Sequence, residues 1–183
     1  WHPDGFLNKW GVLDFAGGAV VHISAGFASL AGAIYLGKRK FKHLKSYNIS
    51  YVLLGTGMLW FGWFGFNSGS ALGANEDAIL AFATTNTASA ICMITWLLME
   101  GIKGHKIKVI DACIGAVVGL VIITPAAGFV NISQSMFMGA IGAIICNLFL
   151  DLFKRFDIDD SLDVFPVHGV GGIIGIIMVF FKH

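Results

Sequence analysis

The 183 residues are 56% hydrophobic and carry 12 Lys and Arg against 11 Asp and Glu, for a formal net charge of +1. With a mean hydropathy of +0.78, this composition excludes a disordered chain and an ordinary water-soluble domain. The 24 glycines fit a membrane bundle, where small residues let helix backbones approach, better than they fit helices in water. Cys92, Cys113 and Cys146 lie in apolar blocks without CxxC spacing, so neither a disulfide framework nor a zinc site is indicated. The opening Trp1-His2-Pro3-Asp4-Gly5 has no initiating Met and no basic n-region, so it is not read as a signal peptide, and the chain is expected to be a piece of a longer one.

In chain order, apolar blocks near 12–36, 51–72, 78–99, 109–127, 135–153 and 163–181 each approach the length needed to cross a bilayer. The predicted fold class is therefore an all-α, polytopic transmembrane bundle with six crossings. The third block carries Thr84, Thr85, Asn86 and Thr87, and the last is short and contains His168; polar groups of this kind belong in a bundle interior. Between the first two blocks runs Lys38-Arg39-Lys40-Phe41-Lys42-His43-Leu44-Lys45, and the third-to-fourth connection has Lys103, Lys106 and Lys108 against Glu100. Lysine-rich short loops stay cytoplasmic. The connections at 75–77 and 131–134 lack basic residues and fall outside; the loop holding Lys154, Arg155, Asp157, Asp159 and Asp160 is inside by alternation. The residue 1 end is then outside, with loops 37–50, 100–108 and 154–162 cytoplasmic. A nucleic-acid reading of 38–45 lacks interleaved groove aromatics or zinc spacing, so no nucleic-acid partner is expected.

Blocks one and six echo each other: Asp14 precedes His22, and Asp163 precedes His168. On a continuous helix Asp14 and His22 would share a face about 12 Å apart along the axis. Such an echo suits an internal duplication in a transporter. Each histidine has a plain reading, as hydrogen-bonded glue between helices. Together they have another, because two neutral imidazoles in an apolar passage can donate to and accept from one another and a small neutral guest. Two His without a third ligand make a poor metal site, so no metal is expected. Asp14 could bind a cation directly, support a cation site from behind, or cap residues 15–17; Asp163 reads more simply as a cap.

In Trp60-Phe61-Gly62-Trp63-Phe64-Gly65-Phe66-Asn67-Ser68-Gly69-Ser70, the glycines at 62, 65 and 69 are expected to form a packing face. Trp63, Phe66 and Ser70 follow at helical spacing, as an aromatic gate with a hydroxyl or as part of an interfacial belt. Thr124-Pro125 predicts a kink whose freed carbonyl is satisfied by Thr or water, a fold-maintaining role.

Leu13-Asp14-Phe15-Ala16-Gly17-Gly18, Val21-His22-Ile23, Gly62 to Ser70, Thr124-Pro125-Ala126 and Asp163-Val164-Phe165-Pro166-Val167-His168-Gly169-Val170-Gly171-Gly172 together resemble the signature blocks of the ammonium transporter family, of the bacterial, archaeal, plant and fungal kind. The resemblance runs in family order along essentially the whole chain. It implies a homotrimer embedded in membrane lipid, each subunit with its own pore and about eleven helices in two inverted halves, of which this chain supplies the fifth to tenth. It implies that His22 and His168 are the twin pore histidines and that Phe66 is the inner gate phenylalanine, with Trp63 beside it. Ser70 and Trp1 match the outer recruitment site, Asp14 the acid that supports it, and Asp163 an acid supporting the second half. Pro166 departs from the small residue many relatives carry. The implied activity is selective ammonium uptake at the plasma membrane: NH4+ recruited outside, deprotonated near the gate, and passed as NH3 along the histidines. The implied protein is a transporter rather than an enzyme, and uses no cofactor. A small cytoplasmic signal-transduction protein is an implied partner through a tail absent here. The rival reading is an ammonium sensor built on the same membrane domain.

Overall fold

The computed structural model describes residues 2, 4–40 and 48–180, so Trp1 and the 41–45 part of the basic run lie outside the described residues. Among the described residues the regular elements are helical: α1 (Phe6–Lys9), α2 (Gly18–Leu36), α3 (Ile49–Gly69), α4 (Glu76–Ile102), α5 (Val109–Ile123), α6 (Ile132–Phe153) and α7 (Phe165–Val179). Their starts follow from local chemistry. Asn48 accepts from the N–H groups of Ser50 and Tyr51, Asn75 from that of Ala78, and Asn131 and Gln134 exchange bonds in a capping box. At α5 the Asp111 carboxylate accepts from the Lys108 N–H.

Four helices, α2, α3, α4 and α6, are long and apolar enough to cross a bilayer. The other two apolar helices, α5 and α7, are shorter among the described residues, and α5 ends for an identifiable reason. Pro125 has no N–H to continue α5, and a buried turn carries the chain on through Ala126, Ala127 and Gly128. The first block also differs from expectation. Helix α2 begins at Gly18, not near 12, because Gly17 takes a φ of 115° that only glycine adopts readily. Asp14 therefore precedes the helix that carries His22 and does not ride on it.

The packing centre is α5, where Val118, Leu120, Val121, Ile122 and Ile123 are fully buried. Helix α4 lies against both α5 and α6, with Trp96 buried between them. Close approach depends on missing side chains: a Cβ on Gly119 would meet Ser89 Cα at 2.6 Å, and one on Gly139 would meet the Ala88 carbonyl oxygen at 2.5 Å. Hydroxyls and amides then bridge the helices. Thr84 donates to the Ala127 carbonyl at 2.7 Å, Ser89 to the Ala116 carbonyl at 2.9 Å, and Asn67 Nδ2 to Thr85 Oγ1 at 2.8 Å. The polar run that interrupts the third block thus ties α4 to α3 and to the end of α5. By contrast, nothing stands within 4 Å of a Cβ placed on Gly62, Gly65 or Gly69, so among the described residues the expected glycine face of α3 meets no neighbour.

Candidate functional site

Both histidine-bearing helices open with a π-helical turn, Gly18–Ile23 in α2 and Phe165–Val170 in α7, in which the backbone bonds reach five residues back. In the first, the His22 N–H donates to the Gly17 carbonyl at 3.1 Å. The Asp14 carboxylate serves that turn: Oδ1 accepts from the N–H groups of Gly17 and Gly18 at 3.0 and 2.5 Å, and Oδ2 from those of Ala19 and Val20 at 2.8 and 3.4 Å. These donors form an anion-binding helix N-terminus already filled by the protein's own acid. The lead-in is fixed as well. The N–H groups of Phe15 and Ala16 donate to the carbonyls of Pro125 and Thr124, which supplies the end of α5 with partners where Thr or water was expected.

The second turn is built differently. Asp163 has a φ of 53° and contributes backbone bonds, its N–H to the Asp160 carbonyl and its own carbonyl to the Val167 N–H. The side chain that caps is that of Asp160: Oδ2 accepts from the Phe165 N–H at 2.7 Å, and Oδ1 from the Ser29 hydroxyl of α2 at 3.2 Å. Asp14 stands eight residues before His22, and Asp160 stands eight before His168. That equal spacing was the available signal, and it points to Asp160 rather than Asp163 as the counterpart of Asp14. Pro166 sits in the first turn, where a missing N–H leaves no bond unmade.

Glycine lets the two turns meet. A Cβ on Gly26 would fall on the backbone of Gly169, and one on Gly172 would meet the Gly18 carbonyl oxygen at 2.8 Å. The crossing brings His22 and His168 together with Nδ1 to Nδ1 at 3.2 Å and ring centroids 5.2 Å apart. His22 is 4% exposed, and its ring stacks on Trp63 at 5.3 Å with 14° between planes. Phe66 stands 6.0 Å from His22 and edge-on to Trp63 at 5.7 Å. Ser70 donates its hydroxyl to the Phe66 carbonyl one turn back. Val21, His22, Met58, Leu59, Gly62, Trp63 and Phe66 line a cavity of ≈340 Å³.

Thr124, assigned only a fold-maintaining role from sequence, is the hub of this cluster. Its hydroxyl donates to the Leu120 carbonyl at 2.8 Å, and its oxygen accepts from Trp63 Nε1–H at 3.0 Å. The hydroxyl has one proton, so the 3.2 Å contact with His22 Nε2 assigns Nε2 as the donor. His22 Nδ1 then carries the lone pair and accepts from His168 Nδ1–H; with both rings neutral, His168 Nε2 is left as an acceptor. Among the described residues no three His, Cys, Asp or Glu side chains gather at metal-ligand distance.

Just before Asp160 in the same connection, Asp157 pairs with Lys38, and Asp159 makes a bidentate pair with Arg39 at 2.6 and 2.8 Å. Those hydrogen bonds hold the Arg39 guanidinium pKa above its ordinary value. The two polar connections flanking the histidine helices are thereby joined.

The family model described as Ammonium Transporter Family matches residues 1–182. The chain is 51% identical over 175 residues to an ammonium transporter of Aquifex aeolicus, covering 95% of this chain and 41% of that protein. It is 49% identical to an ammonium transporter of Bacillus subtilis, covering 93% and 43%. Among solved structures, Saccharomyces cerevisiae Mep2 is similar with a TM-score of 0.88 at 41% identity, covering 98% of this chain and 41% of that one. A structure titled Sensor Amt Protein is similar with a TM-score of 0.91 at 33% identity, covering 97% and 46%. The chain thus spans less than half the length of each of these relatives.

Proposed function

Because the chain belongs to the ammonium transporter family, we propose that it forms part of a pore for selective ammonium uptake across the plasma membrane, working within a longer, homotrimeric protein. The observation that carries this reading is the contact of His22 with His168 from two separate apolar helices, beside Trp63 and Phe66. The residue 1 end faces outside and the lysine-bearing ends of α2, α4 and α6 face the cytoplasm, as loop charge favours.

In this mechanism NH4+ collects at the outer mouth, where Ser70 and Trp1 offer a hydroxyl and a ring face. Asp14 acts from behind: its carboxylate is engaged by backbone N–H groups, so it supports the site by holding the turn that presents His22. Phe66 and Trp63 close the passage to water. A permanent cation such as K+ would have to shed its hydration without a carbonyl cage to replace it, whereas NH4+ can leave a proton behind and continue as neutral NH3. Within the passage His168 Nε2 accepts an N–H of ammonia, while both nitrogens of His22 are occupied by Thr124 and His168. Asp160 orders the second turn, and Asp163 supports it through its backbone.

The test uses the full-length parent. Replacing His22 with Ala is expected to change the ammonium current or its selectivity over K+ while the trimer still assembles; unchanged current and selectivity would reject the pore role. A second reading, ammonium sensing, is favoured by the similarity to the Sensor Amt Protein. It predicts a parent that binds ammonium and signals through a cytoplasmic region without net flux. The same recording separates the two.

A further inference from the structure

The two helices that carry the histidines are also fastened together away from the histidine contact. Helix α2 ends at Gly37, which takes a φ of 69°, and Lys38 and Arg39 then reach the connection between α6 and α7. Lys38 pairs with Asp157, and Arg39 donates its backbone N–H to Asp159 Oδ2 at 2.8 Å and its guanidinium to both oxygens of the same carboxylate. One residue on, Asp160 accepts from the Ser29 hydroxyl with one oxygen and from the Phe165 N–H with the other. Phe165 is the first residue of the second π turn. Three acids within four residues thus tie this connection to α2, and the last of them also holds the turn that presents His168.

The middle of the connection is otherwise lightly held. Residues 154–157 and 161–162 are exposed, and the paired side chains border a cavity of ≈270 Å³. The rings of Phe149 and Phe153 pack on the Phe165 ring, but its backbone N–H depends on Asp160. Asp163 has a φ of 53°, in the left-handed region that a residue with a Cβ keeps only while its surroundings hold it there. Ion pairs open to water are weak and are screened by salt, so these can part while the bundle stays folded. The Asp157 side chain is 80% exposed and that of Asp159 19%, which makes the Arg39 pair the firmer of the two.

We propose that the Lys38–Asp157 and Arg39–Asp159 pairs form a clasp that, through Asp160, sets how firmly the second turn presents His168. Arg39 and Asp159 are positioning residues: they act on the turn through the neighbouring carboxylate. Opening the clasp lets Asp160 leave the Phe165 N–H, and the backbone that aims His168 at His22 loosens. A change of charge on the face read above as cytoplasmic is thereby carried to the histidine pair. The first turn is insulated, because Asp14 and α5 hold it without any residue of the clasp.

Hydrogen–deuterium exchange of the full-length protein in neutral detergent, followed at Gly18–Ile23 and Phe165–Val170, tests this. Exchange at the second segment should quicken about tenfold in R39Q and in D159N and less in K38Q, with the first segment unchanged. The charge swap R39D/D159R should return it to within about twofold of wild type. Raising the salt from about 0.05 to about 0.5 M should quicken the same segment in wild type, and less so in R39Q. Equal exchange in wild type and R39Q, equal quickening of both turns, or a swap no better than the single variants overturns the proposal. If the variants do not assemble, the salt series on wild type decides, and no selective quickening overturns it. Only the effect on flux rests on the pore reading. Ammonium current should fall several-fold in R39Q and recover in the swap, and an unchanged current beside quickened exchange overturns the step from clasp to His168. A wild type that carries no current refutes the pore and leaves the exchange result standing.

Discussion

The two histidine turns share a backbone shape and differ in how firmly they are held. At the first, the Asp14 carboxylate takes four N–H groups, and His22 is stacked on Trp63 and bonded to Thr124. At the second, the Asp160 carboxylate takes one N–H and a hydroxyl from α2, and His168 is half-buried with His22 as its hydrogen-bond partner. By hydrogen bonds the first turn is tied to α5 and the second to α2, while Phe165 also packs the second turn against Phe149 and Phe153 of α6. The side-chain hydrogen bonds are therefore concentrated at the first turn, and removing them should cost more than removing those at the second.

The largest loss is expected from Asp14→Ala in the full-length protein. Four backbone donors lose a charged acceptor, a cost of about 4 kcal/mol. Thermal unfolding in detergent should fall steeply and ammonium flux should vanish; a midpoint within a few degrees of wild type would show that the carboxylate does not hold the turn. Next comes Thr124→Val, which keeps shape but orphans Trp63 Nε1–H and His22 Nε2–H, for about 3 kcal/mol together. Thr124→Ser should restore stability, and a Ser variant no better than Val would mean that the methyl group, not the hydroxyl, matters.

Asp160→Ala removes one capping bond and the Ser29 contact, for about 1–2 kcal/mol. Should it destabilise as much as Asp14→Ala, the claimed asymmetry is wrong. The smallest effect belongs to Ser29→Ala, below about 1 kcal/mol, read as a slight drop in the unfolding midpoint.

Much of this was legible from residue order because it depends on composition and local chemistry. Apolar block length announced the helices, and His22 and His168 stood out as polar groups inside such blocks. Three features were not readable for physical reasons. Helical periodicity assumes regular α geometry, so it could not show that both blocks open with π turns, nor that Gly17 delays α2 by several residues. Asp163 drew attention by starting its block as Asp14 starts the first, whereas capping depends on where a carboxylate falls relative to a turn, and Asp160 falls there. Thr124 beside Pro125 looked like kink chemistry because its partners, Trp63 and His22, are 61 and 102 residues away. The glycines of α3 show the converse. A pattern of small residues states that close approach is possible, and Gly62, Gly65 and Gly69 approach nothing among the described residues.

The single hydroxyl proton of Thr124 gives the imidazole pair a sense of direction. Because that proton is committed to the Leu120 carbonyl, His22 must present Nε2–H to α5 and its lone pair to His168. Inverting the pair requires the threonine rotor to swing off the main chain and donate inward instead. A hydroxyl on a neighbouring helix thus sets which nitrogen of His22 carries the proton.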